Sequence, residues 1–291
     1  MLCTRVRLEE KRLIAALAGL GVAVSPLPPS DSPLPIGPLA ASAVGGDHTG
    51  SASTVVIDRL QERDLAAVLL PYWRQAGQTV IDAGMAATMD RLAVARTLAD
   101  AGMPRPETAL VVSEEAGLAA ITEFGGAGTL LPLRASGAEL PLHDRETAEA
   151  VLEHRQVLGD APASISLLQR GLAGAGNRLS VVVVDGQAAT WEGTRPETVA
   201  LEAYVKLAEA TSRVLGARLI GITMTAIGSS PVVWDVSAVP AFRDATPIAG
   251  VTVEARLAEL VGRMIEGPAE LGAATTMLMG QEAHDHVVLS A

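Results

Sequence analysis

The chain has 291 residues, 49% of them hydrophobic and 19% charged, which is the composition of a folded, core-forming protein and excludes a disordered one. Its net charge of −11 is carried without any clustered basic run, so nucleic acid is excluded as an expected partner. A single cysteine, Cys3, rules out an internal disulfide and a cysteine-built metal site.

Residues 9–20 show helical spacing, with Leu13, Ile14, Leu17 and Leu20 on one face and Gly21 as the stop. Val22 to Val24 reads as a short strand. Residues 25–50 are rich in Pro, Ser, Gly and Ala and read as a long loop. Ser53 to Ile57 is a strand, Leu65 to Ala76 a helix broken or kinked at Pro71, and Thr79 to Ile81 a second strand. This alternation implies a small parallel α/β unit. One helix is expected from Thr88 to Asp100, then a strand from Glu107 to Val112. Ser113 caps a helix with Glu114 and Glu115 in its first turn. Strands follow at Thr129 to Arg134 and Ile165 to Gln169, separated by a helix that Asp144 caps. The last third opens with a hairpin, Leu179 to Val184 and Ala188 to Glu192, turning at Asp185-Gly186. Pro196 is expected to open a long helix ending at Gly216. A second hairpin pairs Arg218 to Thr223 with Val232 to Val236, and a final helix covers Val253 to Ile265. Residues 267–291 have no clear periodicity and read as a tail.

No window approaches the roughly 18 uncharged apolar residues of a membrane span. The opening Met1 to Val6, followed by Arg7-Leu8-Glu9-Glu10-Lys11-Arg12, lacks the pattern of a signal peptide, so no membrane role and a cytoplasmic location are expected.

Several stretches carry a resemblance to the ATP-grasp superfamily, in the branch of the α-aminoadipate–carrier protein ligase of lysine biosynthesis and the ribosomal-protein glutamate ligase. Met89 to Leu110, MDRLAVARTLADAGMPRPETAL, is similar to that branch's "DK…L..AGLPxPxT" segment. Asp144 to Gly159, DRETAEAVLEHRQVLG, Gln169, Val181 to Gly186 and Val232 to Phe242 follow in register. The resemblance implies a mixed α/β (α+β) protein of ATP-grasp fold. It would have an N-terminal α/β domain at 1–85, a central subdomain at 86–170, a C-terminal subdomain at 171–266 and the tail.

What the resemblance implies about chemistry is ATP-dependent phosphorylation of a carboxylate and attack by an amine, with phosphate-clamping cations and carboxylates holding Mg²⁺. The first family lysine falls on Arg91. The second falls near Leu131-Pro132, where Arg134 is the nearest cation, and the only lysines, Lys11 and Lys206, lie elsewhere. The hinge pair becomes Gln169-Arg170. The "G-R-D-I-R" motif becomes Gly176-Asn177-Arg178-Leu179-Ser180, the first metal-binding Asp falls on Thr223, and Glu-x-Asn becomes Asp235-x-Ser237. Arg91, Arg134 and Gln169 are therefore the candidate nucleotide contacts and Asp235 the candidate metal ligand, with no catalytic residue assigned.

Each candidate also has an ordinary reading. Asp235 fits a solvated strand-end acid, and Arg91 a helix-surface arginine paired with Asp90 or a nearby acid. His284-Asp285-His286 has metal-binding spacing but lies in the tail. So many replacements imply an inactive binding or regulatory subunit. Its expected partners are an active ligase paralogue or an amino-group carrier protein, and a homo-oligomer is expected. The rival expectation is a working carboxylate–amine ligase with rebuilt clamps, which would use ATP and Mg²⁺.

Overall fold

The computed structural model describes residues 1–29, 54–133, 139–158, 165–171 and 177–265, apart from the side chains of Met89 and Leu158. The first helix, α1 (Leu8–Gly19), opens with a capping box in which Glu10 accepts from the Arg7 amide at 3.0 Å. It buries Leu13 and Leu17, whereas Leu20 stands beyond its end and is exposed. The expected strand at Val22 to Val24 does not form. Val22 donates its N–H to Leu17 O and Gly21 to Ala18 O, the paired bonds that close a helix C-terminus, and Gly21 takes the required left-handed φ of 75°. The ladder is entered instead by Leu2, which bridges Leu27 on one side and Asp58 on the other, both parallel.

Strand β1 (Val55–Ile57) pairs in parallel with β2 (Thr79–Ile81), and α2 (Arg63–Gln75) connects them. Contrary to expectation, α2 continues through Pro71. The missing donor costs on the order of 3 kcal/mol. Leu69, Leu70 and Trp73 are buried on either side of it, each contributing roughly 1.5–3 kcal/mol. Packing outweighs the local penalty here.

The helix expected from Thr88 to Asp100 is two helices. α3 (Gly84–Met89) stops where Asp90 turns fully extended, and α4 (Arg91–Asp100) starts at once, capped by the Asp90 carboxylate on the Ala93 amide at 2.8 Å. Arg91 thereby becomes the first residue of a helix. Strands β3 (Thr108–Val111), β4 (Gly128–Pro132), β5 (Leu140–Leu142) and β6 (Ser166–Arg170) form an antiparallel sheet in the order β3-β6-β4-β5. The short β5 has too little alternation to be seen in sequence. Helices α5 (Glu114–Glu123) and α6 (Arg145–Leu158), capped by Ser113 and Asp144 as expected, cover this sheet over Ile121, Leu130, Leu142, Leu152 and Leu168.

A second antiparallel sheet comprises β7 (Leu179–Val184), β8 (Gln187–Gly193), β9 (Leu219–Ile227), β10 (Ser230–Ser237) and β11 (Thr246–Pro247), in the order β10-β9-β7-β8-β11. One face packs under α4 and α7 (Leu201–Leu215) through Val181, Val183, Ile220, Ile222, Met224, Val233 and Tyr204. Pro196 does not open α7; it accepts from Val199 in a turn, and the helix starts at Leu201. The other face, with Val182, Val184 and Leu219, packs against α1 and α8 (residues 253–265). Pairing across this face sets Glu192 opposite Ser180, Ser180 opposite Thr223, and Thr223 opposite Asp235. Those four residues form one row across four strands, and the row defines the site. Among the described residues no helix is long and apolar enough to cross a membrane.

Candidate functional site

Asp235 projects from β10 just past a bulge between Val233 and Asp235. Its carboxylate is engaged by Arg91, with Nη2 to Oδ2 at 2.8 Å and Nε to Oδ1 and Oδ2 at 3.2 and 3.3 Å. Both side chains are largely shielded, 10% and 18% exposed. Arg91 also donates Nη1 to Pro132 O at 3.0 Å and its backbone N–H to Leu133 O. One arginine therefore ties the start of α4, the end of β4 and the end of β10 together. Asp90, the acid next door in sequence, is occupied with its own helix cap and takes no part. The structure brings Arg91 and Asp235 together, although 144 residues separate them.

Along the row from Asp235, Thr223 and Ser180 hydrogen-bond to each other at 2.9 Å. Two positions that the sequence resemblance assigns to a carboxylate and an arginine thus hold a neutral, mutually satisfied hydroxyl pair. Asp235 stands at one end of the row and Glu192 at the other, with the hydroxyl pair between them, and the Asp235 oxygens already accept from a guanidinium. Magnesium takes about six oxygens in near-octahedral array. Among the described residues no group of three or more His, Cys, Asp or Glu side chains could hold a metal ion.

Gln169, on β6, donates Nε2 to Trp234 O at 3.0 Å, while its Oε1 is buried without a partner among the described residues. It borders a cavity of about 30 Å³ between the two larger sheets, lined also by Arg91, Arg105, Leu131, Trp234 and Asp235. That is room for about one water. Burial without a charged partner pulls the Arg105 guanidinium below its usual pKa. Arg134 and the His284-Asp285-His286 motif lie outside the described residues.

Sequence reasoning missed a second cluster. Trp234 donates its indole N–H to both Glu139 oxygens, at 3.2 and 3.3 Å, and the Arg178 guanidinium sits 4.4 Å from its ring centroid. Arg178 in turn pairs with Glu139 at 2.6 Å. Glu139 lies 95 residues from Trp234, and no periodicity or motif connects them. The one available signal was an aromatic residue in a chain with 2% aromatics.

Beyond β10 the segment Pro240 to Phe242 is pinned by a buried arginine. Arg59 donates Nε to Glu10 at 2.9 Å and Nη1 to Pro240 O at 3.0 Å, and its guanidinium lies 5.3 Å from the Phe242 ring centroid. Burial alone would raise the Glu10 carboxyl, but hydrogen bonds from Arg7 and Arg59 outweigh it and hold the group below its usual range.

No family model matches the sequence. Solved structures match it over most of its length. A RimK-domain ATP-grasp protein from Sphaerobacter thermophilus DSM 20745 is 26% identical, with a TM-score of 0.72 over 89% of this chain and 98% of that one. The ATP-grasp ligase PsnB, complexed with precursor peptide PsnA2 and AMPPNP, is 17% identical, with a TM-score of 0.63 over 91% and 96%. The D-alanine–D-alanine ligase of Bacillus anthracis, complexed with ATP, is 14% identical, with a TM-score of 0.61 over 88% and 93%. The chain has the ATP-grasp fold.

Proposed function

We propose that this chain is a non-catalytic ATP-grasp protein, a binding or regulatory subunit derived from the carboxylate–amine ligase branch and divided at about residues 85, 170 and 266. The observation that carries this reading is the Arg91 guanidinium on the Asp235 carboxylate. A fixed internal cation occupies the carboxylate that the resemblance assigns to a metal ion. Losing a single transition-state contact typically costs about 10²–10³ in rate, and here the lysines, the second carboxylate and the amide are all replaced. The resident groups do not fit two magnesium ions, so no step through metal or ATP is assigned to them.

The scaffold around the site is retained because its cores depend on other residues, so a docking surface can persist where a pocket does not. The partner that fits is an active ligase of the same fold, or an amino-group carrier protein that such a ligase modifies, in the cytoplasm and with the chain itself a homo-oligomer. Affinity purification of the full chain from its native cell, followed by mass spectrometry, tests this. Recovery of an ATP-grasp ligase or a carrier protein is the expected result. Recovery of neither, together with ADP release on mixing with ATP and amino acids, contradicts it.

A further inference from the structure

The two larger sheets have separate apolar cores. Val111, Ile121, Leu130 and Leu168 belong to one, and Leu98, Val181, Ile222 and Val233 to the other. The seam between them is imperfectly filled, as the cavity of about 30 Å³ beside Leu131 and Leu167 records. Much of what crosses the seam is polar and converges on Trp234. Its carbonyl accepts from Gln169, its indole N–H donates to Glu139, and its ring carries Arg178. Trp234 is 2% exposed and forms one wall of the cavity. The first sheet contributes two members: Gln169 on β6 holds the Trp234 backbone, and Glu139, which precedes β5, holds its side chain and contacts both the indole and the guanidinium.

We propose that Glu139 is a latch. Its carboxylate fixes the Trp234 indole and the Arg178 guanidinium against the β5 end of the first sheet, and its removal lets the Trp234 side chain swing out and widens the mouth of the partly open cavity. The physical basis is the difference between the two kinds of contact. An apolar core opens only with the loss of large buried area, whereas a joint of a few charge-assisted bonds opens locally once one partner goes. Glu139 and Arg178 are 25% and 33% exposed, so solvent reaches the pair and can replace its bonds. This rests on the fold and the contacts of Trp234, not on whether the chain turns over ATP.

The chain has three tryptophans, so a full-length Trp73→Phe/Trp191→Phe background leaves Trp234 as the single reporter. Acrylamide quenching of its fluorescence reads the opening directly. Glu139→Ala is expected to raise the quenching constant about threefold or more, and Glu139→Gln, which keeps an acceptor for the indole, to raise it less. Glu202→Ala, which breaks an exposed ion pair on α7, is expected to leave it unchanged. If Glu139→Ala does not fold, by circular dichroism, Arg178→Met decides, because it keeps a side chain over the ring while removing the charge. A rise in that variant supports the latch. Unchanged quenching in the deciding variant, or an equal rise in Glu202→Ala, overturns it.

Discussion

At the scale of single residues, the chemistry turns on one substitution in kind. Where the sequence resemblance places a lysine, Arg91 offers a planar, multi-donor group that locks onto a carboxylate rather than a compact charge free to meet a ligand. Replacing it by Met leaves Asp235 shielded and without its guanidinium. Arg91→Met is therefore expected to lower stability by about 1–3 kcal/mol in urea unfolding, and Asp235→Asn by less, since the guanidinium keeps its bond to Pro132 O. Wild-type stability in both variants would refute the pairing. Glu10 gives a pH signature. Because the fold holds its carboxyl below the usual range, the folded state releases the proton more readily than the unfolded chain. The stabilisation it provides is present above the unfolded pKa of about 4.3 and fades as pH falls through the folded value. Glu10→Gln should be markedly less stable than wild type at pH 7, with the gap closing as pH drops below about 4. A gap independent of pH would count against the charged arrangement. Arg91 and Asp235 were each legible in the sequence as candidates. Their mutual contact was not, since it depends on two strands and a helix meeting in space.

At the scale of elements, the sequence misled wherever tertiary packing overruled a local rule. Pro71 predicted a break, yet α2 is anchored on both sides of it by Leu69, Leu70 and Trp73. Pro71→Ala supplies the absent helix donor, so thermal melts should show a gain of about 1–2 kcal/mol, and a loss would show that the ring is needed where it sits. Asp90 was hidden for the opposite reason. Nothing in its neighbourhood signals a helix break, yet its extended backbone ends α3 and its carboxylate starts α4. Asp90→Ala is expected to cost about 1 kcal/mol through the lost cap. The hairpin at Asp185-Gly186 was legible because its turn demands two left-handed residues, and both φ angles, 50° and 74°, comply. Gly84, with φ 83°, matters for a different reason: a Cβ there would stand 2.0 Å from Leu215 O. Its small size lets α3 lie against the end of α7.

Across the whole molecule, the order of elements was legible because hydrophobic periodicity and glycine stops mark most helices and strands. The fold is what the solved ATP-grasp structures share with the chain at 14–26% identity. Sheet pairing was not legible. The row Glu192, Ser180, Thr223, Asp235 emerges only from register, and it brings together positions far apart in the sequence. The arrangement as a whole is an ATP-grasp fold in which an ion pair, Arg91 with Asp235, and a hydroxyl pair, Ser180 with Thr223, lie along one row of the second sheet. Isothermal titration calorimetry of the full chain with ATP, and with ADP, in millimolar Mg²⁺ tests this most directly. No saturable heat is expected with either nucleotide. A magnesium-dependent isotherm with a micromolar dissociation constant would contradict it.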